Sequence, residues 1–146
     1  MDKINEYWKK FIEKNNLDKD IKFFEAFHFC FTKESANELL ELVLQGKKKA
    51  TTSRFDTEQN MPKIGDYSIV TNFDGEPFCV IKTTKTIVLP FKDIDFELCK
   101  KEGEDENLIS WRNNHEKFFT AEGKMLGYKF SYDMPVVFEE FEVVHK

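Results

Sequence analysis

The segment Gly46-Lys47-Lys48-Lys49-Ala50-Thr51-Thr52-Ser53 places three lysines between a glycine and a run of hydroxyl side chains. Two chemistries fit that pattern. A lysine held partly out of water has its pKa lowered and becomes a usable base, whereas a charged one clamps phosphate. The ordinary alternative is a set of cations at a helix C-terminus, complementing the negative end of its dipole. Strand periodicity separates the hydroxyls: from Ala50 onward Thr51 and Ser53 point to one face, and Ala50, Thr52 and Arg54 to the other. A lysine at the mouth of this strand could stand beside the Thr51 hydroxyl.

Two further clusters invite chemistry. The acidic stretch Glu102-Gly-Glu104-Asp105-Glu106 precedes a helical pattern, where carboxylates commonly meet the positive end of the dipole. In that helix Trp111 and His115 share a face with Phe118 and Phe119, so packing is their first role, although histidine titrates near neutrality. Arg112 projects sideways and could line a cleft beside Glu104. Tyr67 and Tyr128 could stack on a base, but a chain with 16 phenylalanines buries many of its aromatics.

The elements that must position these residues follow from hydrophobic period. Residues 3 to 15 read as an amphipathic helix through Ile4, Tyr7, Trp8, Phe11 and Ile12. Phe23, Phe27, Phe29 and Phe31 alternate as a core strand. A second helix has a capping box at Ser35–Glu38, an apolar face at Ala36, Leu39, Leu40, Val43 and Leu44, and a stop at Gly46. Strands follow over 50–55, up to 70 after the Pro62–Asp66 turn, over 78–91 and near the C-terminus. A helix spans 108–123. Helices at the periphery of five or six strands predict an α+β fold built on a small β-barrel. The chain reads as one domain, 1–146, with residues 1–20 as an N-terminal helical extension.

Composition narrows the partners. The net charge of −5 argues against a protein that coats long duplex nucleic acid, yet leaves room for a nucleoside or short single strand. Three widely spaced cysteines without a CxxC pair predict no structural metal and a reduced, cytoplasmic protein. No run approaches the roughly 20 apolar residues of a membrane span. Oligomeric state is not encoded in any of these patterns.

Gly46-x-Lys48-x-x-Thr51 matches the G-x-K-x-x-T motif of ASCH domains, and the resemblance extends through GDYSIV (65–70), the 102–119 stretch and DMPVVFEEFEVV (133–144). The chain thus resembles bacterial ASCH proteins of the PUA-like superfamily over about residues 20–145. That resemblance implies a PUA-like barrel that binds RNA or a modified nucleoside without a cofactor. By similarity to relatives that deacylate N4-acylated cytidine, it implies Lys48, Thr51 and Glu104 as a catalytic constellation, with Glu102 as the alternative acid. Lys48, neutral in part, would then deprotonate Thr51 or a water, and Glu104 would pass the proton to the leaving amine. Gly46, Ser53, Arg54, Arg112 and Glu102 are the expected substrate-binding residues. The alternatives implied are a single-strand ribonuclease and a non-catalytic RNA-binding module. Ser53 stands where some relatives carry arginine, and Lys49 where threonine is common.

Overall fold

The computed structural model describes residues 2–146. Helix α1 (Lys3–Lys14) is capped by Asp2, whose carboxylate accepts from Asn5 N. It is followed by the two-residue strand β1 (Ala26–Phe27), helix α2 (Lys33–Leu44), and strands β2 (Ala50–Arg54), β3 (Tyr67–Thr71) and β4 (Pro77–Pro90). A 3-10 turn (Phe91–Asp93), the short helix α3 (Phe96–Cys99) and a second 3-10 turn (Lys100–Glu102) lead to helix α4 (Leu108–Leu126). Strand β5 (Pro135–His145) closes the order.

The strands form one sheet in the order β1-β3-β4-β5-β2, antiparallel except for the β1–β3 pair. The α+β class is as expected, but the barrel is not. β1 and β2 are edges of an open sheet, and closing it would require them to pair. The Phe-rich segment explains this. Only Ala26 and Phe27 enter the sheet, and Cys30 adopts a left-handed φ of 60° that ends any extended run.

Strands β4 and β5 are long and slip in register between Thr83 and Lys85. Such a bulge bends a strand pair. Three apolar groups pack on the bent sheet. Trp8, Phe11 and Ile12 of α1 cover Ile69 and Val80. Leu40 and Val43 of α2 meet Val70, Cys79, Ile81 and Phe141. Trp111 and Phe119 of α4 join Ala50, Phe91, Val136 and Phe138. The α2 cap differs from expectation: Thr32, not Ser35, is the N-cap, its hydroxyl accepting from Ser35 N at 3.1 Å. At the other end Gly46, φ 77°, turns the chain so that the Lys47 and Lys48 amides both donate to the Leu42 carbonyl. That turn sends Lys48 back under the helix. No helix among the described residues is long and apolar enough to cross a membrane.

Candidate functional site

The three lysines behind Gly46 part company in the fold. Lys47 and Lys49 are exposed, whereas Lys48 is 2 % exposed. Its Nζ donates to the Ala50 carbonyl at 2.9 Å and to Glu104 Oε2 at 2.7 Å, and lies 3.4 Å from Glu102 Oε1. An ammonium has three N–H donors, and all three are used. The Phe29 ring faces Nζ at 5.1 Å.

What brings two glutamates from a distant loop to one lysine is the Glu-Gly-Glu spacing. Lys49 N donates to the Lys101 carbonyl at 2.8 Å, which ties the second 3-10 turn to the lysine turn. Gly103 then takes φ 70°, and a Cβ at that position would collide with the Lys47 carbonyl. Only glycine allows both the close approach and the left-handed turn that aims its two neighbours at Lys48. Asp105 turns the other way, accepting from Ser110 Oγ at 2.6 Å and Asn114 Nδ2 at 2.7 Å in the first turns of α4. The helix terminus itself is capped by Asn107, whose Oδ1 accepts from Ser110 N at 2.8 Å.

Glu102 and Glu104 have unlike surroundings. Glu102 is 1 % exposed and accepts from Thr52 Oγ1 at 2.9 Å and Trp111 Nε1 at 2.7 Å, both on Oε2. Burial disfavours its charge, but Lys48, His115 and the Trp111 hydrogen bond outweigh burial and bring its pKa down to about 2. It is a locked carboxylate. The Glu104 side chain is 20 % exposed, and burial reinforced by the Glu102 charge holds its carboxyl above the ordinary range despite Lys48. For Lys48, burial opposes the charge, yet the two glutamates prevail and raise its pKa. The expectation of a partly neutral lysine base is thereby reversed: the two carboxylates favour the charged ammonium of Lys48, and Glu104 is the more exposed of the pair.

His115 completes the cluster. The Trp111 carbonyl can only accept, so Nδ1, 2.9 Å away, carries a proton, and Nε2 faces Glu102 Oε1 at 3.5 Å. Burial works against the imidazolium, but the hydrogen bond and charge of Glu102 raise its pKa. Its ring stacks on Trp111 with centroids 4.1 Å apart. Glu102, Glu104 and His115 offer ligand atoms within 4.8 Å of one another, the arrangement of a small metal site. The Lys48 ammonium already bonds both carboxylates, and a divalent ion beside it would meet a like charge.

These groups line one pocket of about 150 Å³, whose apolar wall is Phe29, Leu39 and Phe118. Thr51 and Asn114 add polar edges. Thr51 reaches the pocket without bonding Lys48, because it lies on the opposite face of β2 from the buried Thr52. A second hollow of about 260 Å³ shares Cys30, Leu39, Glu104 and Asn114 and adds Ser35 and Glu38. Of the other residues expected in the site, Gly46 shapes the turn from outside the pocket. Ser53 is exposed, and Arg54 pairs with Asp56 at 3.1 Å over the Tyr128 ring. Arg112 donates to the Lys92 carbonyl at 3.1 Å, away from Glu104. Thr52 and Trp111, which hold Glu102, carried no signal beyond periodicity: Trp111 reads as a packing position and Thr52 only as a residue on the β2 face away from Thr51. A core indole needs a partner for its N–H, and that requirement was the available clue.

An open five-stranded sheet with a Lys-Glu-Glu cluster behind the α2 turn defines the class. The ASCH domain family model matches residues 25–145, and the chain belongs to that family. It is similar to the ASCH domain from Lactobacillus crispatus JV V101, with 30 % identity and a TM-score of 0.84 over 97 % of this chain and 96 % of that one. It is also similar to protein EF3133 from Enterococcus faecalis V583, with 30 % identity and a TM-score of 0.89 over 98 % and 88 % of the two chains. The hypothetical protein PH0355, 21 % identical with a TM-score of 0.54 over 82 % of this chain and 97 % of that one, shares the fold. No protein of curated function matches the chain.

Proposed function

We propose that the cleft binds a modified nucleoside and hydrolyses an amide on its base, as an amidohydrolase of the N4-acylcytidine type. The observation that carries this reading is Glu104, a partly exposed carboxyl of raised pKa held 2.7 Å from a buried ammonium at the wall of a small apolar pocket. A pocket of about 150 Å³ matches a single aromatic ring and its substituent. The adjoining hollow, with Ser35, Glu38 and Asn114, suits the hydroxyls of a ribose.

The chemistry assigns one proton to one group. Ionised Glu104 takes a proton from a water as its oxygen adds to the amide carbonyl carbon. Lys48 turns the N–H released by Glu104 toward the oxyanion that forms. The C–N bond then breaks, Glu104 returns its proton to the departing nitrogen, and the products are a carboxylic acid and the free amine. Glu102, His115 and Trp111 do not move protons; they keep Lys48 in place.

Charge favours this reading over a ribonuclease. Among the described residues, the basic groups lining the two hollows are Lys48 and His115, and both face Glu102. Glu104, Asp105 and Glu38 stand at the rim without a free cation, and a phosphodiester there would meet repulsion. The test is incubation with N4-acetylcytidine and, separately, a labelled single-stranded RNA. Cytidine should accumulate with the RNA intact, and Glu104→Gln should slow release by about 100-fold or more. Binding of either compound without turnover would leave a non-catalytic recognition module and sink the hydrolase.

A further inference from the structure

We propose that Asn114 is a specificity residue of this cleft, held by Asp105 so that its carboxamide oxygen accepts the 2′-hydroxyl of a ribonucleoside. The proposal rests on the reading of the cleft as a nucleoside site but not on the amide chemistry assigned to it. Cys30, Leu39, Glu104 and Asn114 are common to the two hollows. Of these, Glu104 is engaged by Lys48 at 2.7 Å, and Leu39 has no polar atom on its side chain. A thiol is a weak hydrogen-bonding group, whereas a carboxamide is both a full donor and a full acceptor. Asn114 is therefore the neutral side chain best able to recognise a ligand where the hollows join.

The orientation of that amide follows from what it touches. Asn114 Nδ2 donates to Asp105 Oδ1 at 2.7 Å, and Ser110 Oγ donates to the same oxygen at 2.6 Å. Turned the other way, the amide would set its carbonyl oxygen against a carboxylate oxygen, acceptor facing acceptor. Ser110 is itself fixed, since its backbone N–H donates to the Asn107 cap at 2.8 Å. Asn114 lies one helical turn beyond Ser110 on the same face of α4, within reach of the one carboxylate. Its Oδ1 accepts from no described residue. A base in the apolar pocket and a sugar in the adjoining hollow are joined by the glycosidic bond, and the 2′-hydroxyl is the donor on the sugar carbon beside that bond. Asn114 Oδ1 takes this hydrogen bond. A 2′-deoxy sugar presents only C–H there and leaves the oxygen to water.

Calorimetric binding of N4-acetylcytidine and of N4-acetyl-2′-deoxycytidine tests this. Asn114 is exposed at the rim, where water competes, so wild type should favour the ribonucleoside by about fivefold, the strength of one neutral hydrogen bond. Asn114→Ala should bring the two affinities to within about twofold of each other, chiefly by weakening the ribonucleoside. Asp105→Val should do the same by freeing the amide, whereas Asp105→Asn keeps an acceptor for both donors and should keep the preference. Equal binding by wild type, or a preference that survives Asn114→Ala, overturns the proposal, and turnover of the deoxynucleoside would then leave the amidohydrolase standing. A preference without turnover of either compound sinks the hydrolase and upholds the role of Asn114. Failure of both compounds to bind overturns the nucleoside reading and this proposal together. The amide orientation has its own check in the ligand-free protein: by NMR, one Asn114 side-chain N–H should exchange with water more slowly in wild type than in Asp105→Val. Equal exchange in the two proteins removes the part assigned to Asp105.

Discussion

Replacing Lys48 by methionine removes one charge and almost no volume, so its cost can be worked from the surroundings of Glu102. That carboxylate, 1 % exposed, would remain with Thr52 and Trp111 but without the cation that does most to offset its burial. Its pKa of about 2 lies some 2.5 units below the ordinary carboxylate value of 4.5, worth about 3 kcal/mol at neutral pH. Breaking a buried pair by removing one partner costs about 3–5 kcal/mol. In a chain of this size that lowers Tm by roughly 10 °C. The sign with pH is specific. In wild type the depressed pKa contributes stability that is full above the unfolded value and is lost as pH falls through about 4.5 toward 2. In Lys48→Met the carboxyl can relieve its penalty by protonating, so the gap between the two proteins should be widest near pH 7 and narrow toward pH 4. Urea denaturation at several pH values reads this directly. Lys48→Met/Glu102→Gln should recover most of the loss, because no unpaired charge is left at the Glu102 position. A single variant within about 1 kcal/mol of wild type, with no pH dependence, would refute the burial argument.

Trp111→Phe keeps the ring against Phe91 and removes only the indole donor to Glu102, so it should cost about 1–3 kcal/mol in equilibrium unfolding while ligand affinity changes little. His115 should titrate above 6.5 in its ring-carbon NMR signals. Its stabilising contribution is full below 6.5 and fades as pH rises through the folded value; Glu102→Gln should bring the midpoint down. Adding Zn²⁺ or Mn²⁺ should not raise turnover, and chelators should not lower it, because Lys48 occupies the cation position; activation by either ion would show that the ammonium yields to metal. Phe118→Ala should weaken nucleoside binding by about tenfold through lost stacking area, measured by calorimetry.

Much of this was legible in the residues. The helices read by apolar period over 3–15, from Ser35 to the Gly46 stop and over 108–123 form as Lys3–Lys14, Lys33–Leu44 and Leu108–Leu126, and the long β-branched run became β4. Gly46 was readable as a stop because a left-handed turn after an apolar helix favours glycine. The Phe-rich stretch misled, since alternation specifies a strand only where a neighbouring strand runs alongside, and here pairing with β3 stops at Phe27, before Phe29 and Phe31. The barrel failed for a related reason: closure depends on whether the edge strands meet, which no local pattern encodes.

The chain by itself made Lys48 a candidate through its spacing from Gly46 and Thr51, and the resemblance to ASCH domains singled it out, together with a carboxylate of the Glu-Gly-Glu loop. The tertiary structure alone decided what those residues are. Lys48 became a cation because two carboxylates 54 and 56 positions away converge on it. The Glu102 carboxyl is held low because Lys48, His115 and Trp111 converge on it, and that of Glu104 is held high because it is buried beside the Glu102 charge. Protonation follows the local balance of burial and charge, and that balance exists only once distant segments have packed together.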